Sequence, residues 1–133
     1  LQHPRLKRTT YRLDEKRWDA FEVWEELHRK VASPDFSIRV ELQHAHKRVW
    51  IRIEGALSGL DAEGLARHLS DALSRSRNRL VLDFNRLRWN AAIDLQPLCE
   101  RLARHRARIQ VVLPPVATSH PGFLALVAAF QSY

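Results

Sequence analysis

Two runs of alternating apolar and polar residues form the clearest pattern in the chain. The apolar positions of the first run are Phe36, Ile38, Val40 and Leu42. After a polar link at residues 43–46, the apolar positions of the second run are Val49, Ile51 and Ile53. A period of two is typical of a half-buried strand, and two such strands around a short polar link predict an antiparallel hairpin.

Four other segments repeat apolar residues at helical spacing, which predicts one buried stripe on each helix. The first covers residues 18–31, the second begins at an N-cap at Asp61, the third at an N-cap at Asp94, and the fourth near Ser119. The predicted stripes are Trp18, Phe21, Trp24, Leu27 and Val31; Leu65, Leu69, Ala72 and Leu73; Leu95, Leu98, Cys99 and Leu102; and Phe123, Leu126, Val127 and Phe130.

Two short apolar segments predict further strands. Residues 80–82 are closed by Asp83, and residues 109–113 are stopped by Pro114. The resulting order of helices and strands predicts an α/β fold, because strand–helix–strand units cross over right-handedly into parallel neighbours. We expect a small mixed sheet of about four strands, a hairpin plus parallel strands, with helices packed on it and an N-terminal helical extension.

Size and composition indicate one soluble globular domain. The chain has 133 residues, 45% of them hydrophobic and 28% charged. The absence of methionine and of a signal-like start predicts that the chain is a piece of a longer polypeptide. We divide it into a basic linker and amphipathic helix at 1–35 and a domain at 36–133. The single cysteine, Cys99, cannot close an internal disulfide, so a cytoplasmic setting is the simplest interpretation.

The sequence carries no residue arrangement typical of catalysis. Cys99 sits on an apolar stripe, which favours a buried thiol, and the four glycines form no phosphate-binding loop. His44 and His46 lack an evident third ligand, so we expect neither a metal nor a cofactor. Asp83 and Asp94 are explained as the end of a strand and the cap of a helix, and we expect no enzymatic activity.

Arginine dominates a basic composition of 22 Lys and Arg against 15 Asp and Glu, with a formal net charge of +7. Six arginines precede the two predicted parallel strands and should therefore meet at one end of the sheet: Arg75, Arg77, Arg79, Arg104, Arg106 and Arg108. This basic patch favours nucleic acid or an anionic membrane as an alternative partner. The same arginines are also explained by the carbonyl groups at helix C-termini, and no aromatic residue interleaves them as base stacking requires.

The order and spacing of these elements resemble the STAS domain family, over residues 36–131. The matching segments are IEGAL at 53–57, the helix at 61–75, RLVLDF at 79–84, the helix at 95–104 and the strand at 109–113. The family includes bacterial anti-sigma factor antagonists and the cytoplasmic tails of sulfate-type anion transporters. The resemblance implies a regulatory signalling module that acts through protein–protein interaction.

The resemblance also implies that partners bind at the loop and helix after residues 80–83. The candidate binding residues there are Arg86, Arg88, Trp89, Asn90 and Asp94. Trp and Arg are enriched at binding hot spots, but a tryptophan packed under the loop would explain Trp89 equally well. In the antagonists a kinase phosphorylates a hydroxyl at this helix start, whereas here no Ser, Thr or Tyr lies between Ser76 and Thr118. The expected partner is a protein or another domain of the host chain, with a homodimer left open.

Overall fold

The computed structural model describes residues 23–31, 35–90, 93–115 and 120–133. In chain order the described elements are α1 (Val23–Lys30), β1 (Phe36–Gln43), β2 (Arg48–Gly55), α2 (Gly59–Ser74), β3 (Arg79–Leu87), α3 (Gln96–Leu102), β4 (Ile109–Val112), α4 (Pro121–Ala129) and β5 (Gln131–Ser132). Short 3-10 turns precede β2 (His44–His46) and β4 (Ala103–Arg108). The predicted α/β fold is confirmed.

The described strands form one five-stranded sheet in the order β1-β2-β3-β4-β5. β1 and β2 pair antiparallel, as the alternating pattern predicts, and the remaining neighbours are parallel. The sequence does not predict β5, because its two residues, Gln131 and Ser132, are exposed and too few to carry an alternation.

The apolar core lies between one face of the sheet and the helices. On β2, Val49, Ile51 and Ile53 are fully buried in this core. The alternate residues Trp50 and Arg52 are half-buried and lie on the opposite face, because successive side chains of a strand point in opposite directions. We call this second face the helix-free face, since the described helices pack their buried residues into the core on the first.

Helix α1 packs into the same core. Trp24 and Leu27 are buried, and Trp24 Nε1 donates a hydrogen bond to Asn78 Oδ1 at 3.2 Å. The predicted burial of Trp24 is therefore confirmed. Trp18, Phe21 and the basic linker lie outside the described residues.

Helix α2 begins earlier than predicted. Its N-cap is Ser58, whose Oγ accepts a hydrogen bond from the backbone N–H of Asp61 at 3.2 Å. The predicted cap at Asp61 is wrong, because Ser58 and Asp61 have the spacing in which a serine caps and an acidic residue occupies the first turn. The predicted stripe is buried as expected: Leu65, Leu69, Ala72 and Leu73.

Strand β3 continues past Asp83, so the strand end predicted there is wrong. Asp83 is 4% exposed and stays in the sheet because donors surround its carboxylate. Trp50 Nε1 lies 3.0 Å and Arg52 Nε 3.4 Å from Oδ2, and the N–H of Asn85 donates to Oδ1 at 2.9 Å. The register between β2 and β3 shifts between Arg52 and Glu54, which marks a bulge.

The stripe predicted for α3 is confirmed, whereas the stripe predicted for α4 is confirmed only in part. In α3 and the residue before it, the predicted stripe is buried: Leu95, Leu98, Cys99 and Leu102. Leu126 in α4 and Phe130 at its C-cap are buried, but Phe123 is only half-buried and Val127 is 53% exposed. The prediction for Val127 is wrong because α4 faces the core through Leu126 and Phe130, four residues apart on one helix face.

Candidate functional site

The candidate binding residues lie at the edge of the sheet where the parallel strands end. We call it the carboxyl edge and include in it the loop at residues 88–95 and the first turns of α2 and α3. Arg88, Asn90 and Asp94 are exposed in this loop. Arg86 is also exposed, but it belongs to β3 and not to the loop as predicted, because β3 is longer than expected.

Backbone hydrogen bonds hold the described part of this loop. The N–H of Arg88 donates to Gly55 O at 2.8 Å, which ties the end of β3 to the end of β2. The N–H of Ile93 donates to Asn90 O at 3.1 Å, and both Ile93 and Leu95 are buried in the core. The exposed side chains therefore project from a fixed backbone.

Gly55 is required for this arrangement. Its φ of +96° lies in the left-handed region, and a Cβ there would overlap the carbonyl oxygen of Asp35. That oxygen accepts the N–H of Ala56 at 2.9 Å. A glycine at this position thus lets the start of β1 approach the chain that leads into α2.

Trp89 holds the loop from its core side. It is half-buried and packs on the core, with its ring centroid 6.3 Å from that of Phe84 and 5.3 Å from that of His120. Its indole Nε1 is buried without a hydrogen-bond partner in the described structure. A tryptophan that serves as an exposed anchor keeps its N–H accessible, so the geometry favours the packing interpretation of Trp89.

His120 links α4 to the same loop. The N–H of Gly122 donates to His120 Nδ1 at 2.9 Å, so this nitrogen caps α4 as an acceptor. His120 Nε2 then carries the proton of a neutral imidazole and donates to Asn90 O at 2.8 Å. Sequence reasoning missed this link, although a residue directly before Pro121 at a helix start occupies a capping position.

The first turns of α2 and α3 lie side by side. A methyl group at Gly59 would lie 3.3 Å from Cβ of Asp94, so glycine permits this close approach. Asp94 Oδ1 accepts the N–H of Gln96 at 3.1 Å, but the N-cap of α3 is Leu95, so the predicted cap at Asp94 is wrong by one residue. Beside Gly59, Leu60 is 82% exposed.

Leu60 is a candidate binding residue that the sequence prediction missed. A helix predicted from Asp61 leaves Leu60 outside it. The Ser58-x-x-Asp61 spacing is the signal that places Leu60 in the first turn, off the stripe of Leu65 and Leu69. Leu60 adds an apolar side chain to a surface otherwise made of charged and amide groups.

The predicted basic patch lies at the opposite edge, where the parallel strands begin, which we call the amino edge. One of its members, Arg108, is fully engaged inside the protein. Its guanidinium donates to the carbonyl oxygens of Leu73, Ser76 and Asn78 at 2.8 Å each, and burial lowers its pKa. Arg108 therefore has a structural role, because its donors close the α2–β3 connection, and its contribution to a binding patch stays a prediction.

The other arginines of the patch divide into two groups. Arg75 pairs with Asp71 at 3.3 Å and with Glu26 at 3.5 Å. Arg104 donates to Ser74 Oγ at 3.3 Å. Three of the six arginines of the predicted basic patch are exposed and have no ion pair among the described residues: Arg77, Arg79 and Arg106.

A serine–histidine pair lies between α2 and the turn before β4. Ser70 Oγ is 3.3 Å from His105 Nε2, and Arg104 Nε donates to the same nitrogen at 3.3 Å. Burial, followed by the charges of Arg104 and Arg108, lowers the pKa of His105 and weakens it as a base. Nucleophilic serines need an oriented base and usually a sharp turn, whereas Ser70 lies inside α2, so we assign this pair no catalytic role.

Other candidate chemistry from the sequence has a simple structural account. Burial raises the pKa of the Cys99 thiol to about 11, which leaves it protonated near neutral pH. His46 is exposed on the turn before β2, and no group of three or more His, Cys, Asp and Glu side chains suited to a metal occurs within the described ranges. Among the described helices, none is long and apolar enough to cross a membrane.

No protein-family model matches the chain, and no curated protein matches it. The resemblance to STAS domains therefore stays a prediction from the order and spacing of its elements.

Proposed function

We propose that this chain is a non-enzymatic, STAS-like interaction module that binds a protein, or another domain of its host polypeptide, at the carboxyl edge. The contact surface consists of Leu60, Arg86, Arg88, Asn90 and Asp94. The observation that carries the proposal is the described part of this loop, residues 88–90 and 93–95, which the core holds on one side and which exposes charged and amide groups on the other.

The described residues of this loop are a suitable binding surface because other parts of the fold hold them in place. Trp89 packs beneath it, and His120 donates to Asn90 O from the neighbouring helix. A loop that is already ordered loses less conformational freedom when a partner binds, which leaves more of the interaction energy for affinity. Arg86 and Arg88 supply hydrogen-bond donors, and arginine is enriched among residues that dominate binding energies.

The proposed module is not switched by phosphorylation in this loop. No Ser, Thr or Tyr lies between Ser76 and Thr118, so the loop and the start of α3 offer no hydroxyl to a kinase. We propose constitutive binding in a cytoplasmic setting. Control would then come from the amount or location of the partner.

Affinity capture with surface variants tests this proposal. The tagged chain is incubated with nuclease-treated lysate of the source cell at high salt, and retained proteins are identified by mass spectrometry. A specific partner should be lost with Arg88→Glu and with Leu60→Asp. Both changes leave the fold intact, because Arg88 and Leu60 are exposed and an acidic residue is favourable in the first turn of α2.

Matched controls use exposed residues away from the carboxyl edge. Arg67→Glu on α2 makes the same charge change, and Val127→Asp on α4 removes another exposed apolar side chain. The partner should remain bound to both. Retention of the same proteins by all four variants would show that the carboxyl edge is not the binding surface.

A further inference from the structure

The helix-free face carries two arginines side by side at its amino edge. Arg48 begins β2 and Arg79 begins β3, and the two are register partners in the parallel pair. Their side chains therefore lie on the same face of the sheet. Arg48 Nε donates to Gln43 Oε1 at 2.7 Å, but this neutral partner does not compensate the two positive charges, so an anion near them is favourable. The exposed Arg77 and Arg106 add positive charge at the same edge.

Two aromatic rings lie next to this arginine pair. Trp50 and Tyr133 meet edge to face, with ring centroids 4.8 Å apart and planes at 80°. The guanidinium carbon of Arg48 lies 5.2 Å from the centroid of the Tyr133 ring. Tyr133 is 55% exposed, so much of its surface is accessible. Cationic and aromatic side chains therefore lie next to each other on this face, although Tyr133 is far from Arg48 and Trp50 in the sequence.

Partly buried hydrogen bonds fix the orientation of Trp50. Its Nε1 donates to Asp83 Oδ2 at 3.0 Å, and Arg52 Nε lies 3.4 Å from the same oxygen. The indole therefore has its polar atom turned into the sheet. Its ring is held against Tyr133, and a rigid aromatic surface binds a planar ligand with little loss of conformational freedom.

The acidic groups of this face do not cancel its charge. Asp83 is paired with Arg52, and Glu54 lies 3.9 Å from Arg39. Glu41 is the exposed carboxylate beside Trp50 in the β1–β2 register. The groove that contains Trp50, Arg52 and Glu41 is also lined by Glu25 and His28 of α1, away from the amino edge. At the amino edge, the arginine pair retains its net positive charge.

We propose that single-stranded nucleic acid binds across the helix-free face, with phosphates at Arg48 and Arg79 and unpaired bases stacked on Tyr133 and Trp50. Base stacking on aromatic rings combined with arginine contacts to the backbone is typical of sequence-tolerant single-strand binding. A duplex hides the faces of its bases and offers only phosphates. The arginine pair lies at the amino edge, at the other end of the sheet from the carboxyl edge, so the inference does not rest on the proposed function.

Fluorescence anisotropy with defined oligonucleotides tests the inference. The probes are a labelled oligothymidylate of about 12 nucleotides, within the usual range of single-strand site sizes, and the same strand annealed to its complement. The intact chain should bind the single strand more tightly than the duplex. Tyr133→Ala should raise the Kd about tenfold, and Tyr133→Phe, which keeps the ring, should change it little.

The charge contribution is measured with a second pair of variants. Arg79→Glu should raise the Kd about tenfold at low salt. It should also reduce the slope of log Kd against log salt by about one, because one phosphate contact is lost. Arg86→Glu makes the same charge change at the carboxyl edge and should leave the Kd unchanged. Equal losses from both variants would show nonspecific attraction to a basic protein.

Three results would overturn the inference. One is equal affinity for the single strand and the duplex, and another is an unchanged Kd in Tyr133→Ala. The third is binding to vesicles that contain phosphatidylserine without binding to the oligonucleotide, which would identify the arginines as a membrane-facing surface. Circular dichroism of each variant verifies that the fold is intact.

Discussion

The two edges of the sheet hold their loops by different means. At the carboxyl edge, Trp89, Ile93 and Leu95 pack the loop onto the core, and the arginines remain exposed. At the amino edge, the guanidinium of Arg108 holds the loop before β3 through three carbonyl groups. A loop with apolar anchors leaves its charged residues available for binding, whereas a loop without them uses a charged residue for its own structure.

The comparison shows that neighbouring arginines can have unrelated roles. Arg106 and Arg108 belong to the same turn, yet Arg106 is exposed and Arg108 is bonded to the chain around it. Because both are arginines in one short basic segment, the sequence predicts that both belong to the same binding patch. Position relative to unsatisfied carbonyl groups, which only the fold defines, separates them.

Replacing Arg108 should have the largest effect on stability. Hydrogen bonds to charged groups contribute about 1.5–3 kcal/mol each, and partial exposure reduces the total, so Arg108→Ala should lower the free energy of unfolding by about 3 kcal/mol. Lysine cannot reach three carbonyl groups at once, so Arg108→Lys should recover little. Urea unfolding followed by circular dichroism measures both changes.

The control for this prediction is Arg106→Ala in the same turn. An exposed residue without ion pairs should change stability by less than about 0.5 kcal/mol. Equal losses from Arg106→Ala and Arg108→Ala would contradict the distinction between a structural and a free arginine.

Trp89 should have the next largest effect on stability. It holds the loop at the carboxyl edge, as Arg108 holds the loop at the amino edge. Trp89→Ala should cost about 2 kcal/mol, less than a fully buried tryptophan because Trp89 is half-buried. Trp89→Phe keeps an aromatic ring and removes a buried unpartnered N–H, so it should cost less than about 1 kcal/mol. A phenylalanine variant as unstable as the alanine variant would argue against packing as the role of Trp89.

A smaller effect on stability should come from His105 at the amino edge, and this effect should depend on pH. Burial and nearby arginines lower the pKa of His105 below its ordinary value of 6.5, so the folded protein resists protonation of this imidazole. The unfolded chain binds the proton more readily, and stability should therefore fall as pH decreases from 6.5 to the native pKa of His105. His105→Gln should reduce this loss in unfolding curves collected across that interval, and an identical pH profile would exclude His105 as its source.

The exposed arginines of the carboxyl edge should have the smallest effect. Arg86→Glu and Arg88→Glu should each change the free energy of unfolding by less than about 0.5 kcal/mol, because neither guanidinium has an ion pair in the described residues. The same urea assay measures this. A loss comparable to that of Arg108→Ala would mean that these arginines also support the fold and are not a free surface.

Local patterns predict the elements of this fold better than their ends or contacts. The alternation in β1 and β2 identifies the hairpin, because one face of each strand is buried. The end of β3 is not predictable at Asp83, since its partners Trp50 and Arg52 lie on another strand. Only pairing of β2 with β3 brings these donors to the carboxylate.

The candidate sites are predictable to different degrees for the same reason. The loop at 88–95 is contiguous in sequence, so a resemblance to a family is enough to indicate it. The contact of Trp50 with Tyr133 joins β2 to the residue after β5, a strand that carries no sequence pattern. An aromatic surface beside the basic residues is therefore absent from the sequence interpretation and present in the structure.

The most direct test of the account is a crossed binding measurement with two charge reversals. Arg88→Glu and Arg79→Glu are each assayed for the captured protein partner and for the single-stranded oligonucleotide. We predict that Arg88→Glu loses the protein and keeps the oligonucleotide, whereas Arg79→Glu does the reverse. Loss of the protein partner with Arg79→Glu but not with Arg88→Glu would contradict the assignment of protein binding to the carboxyl edge.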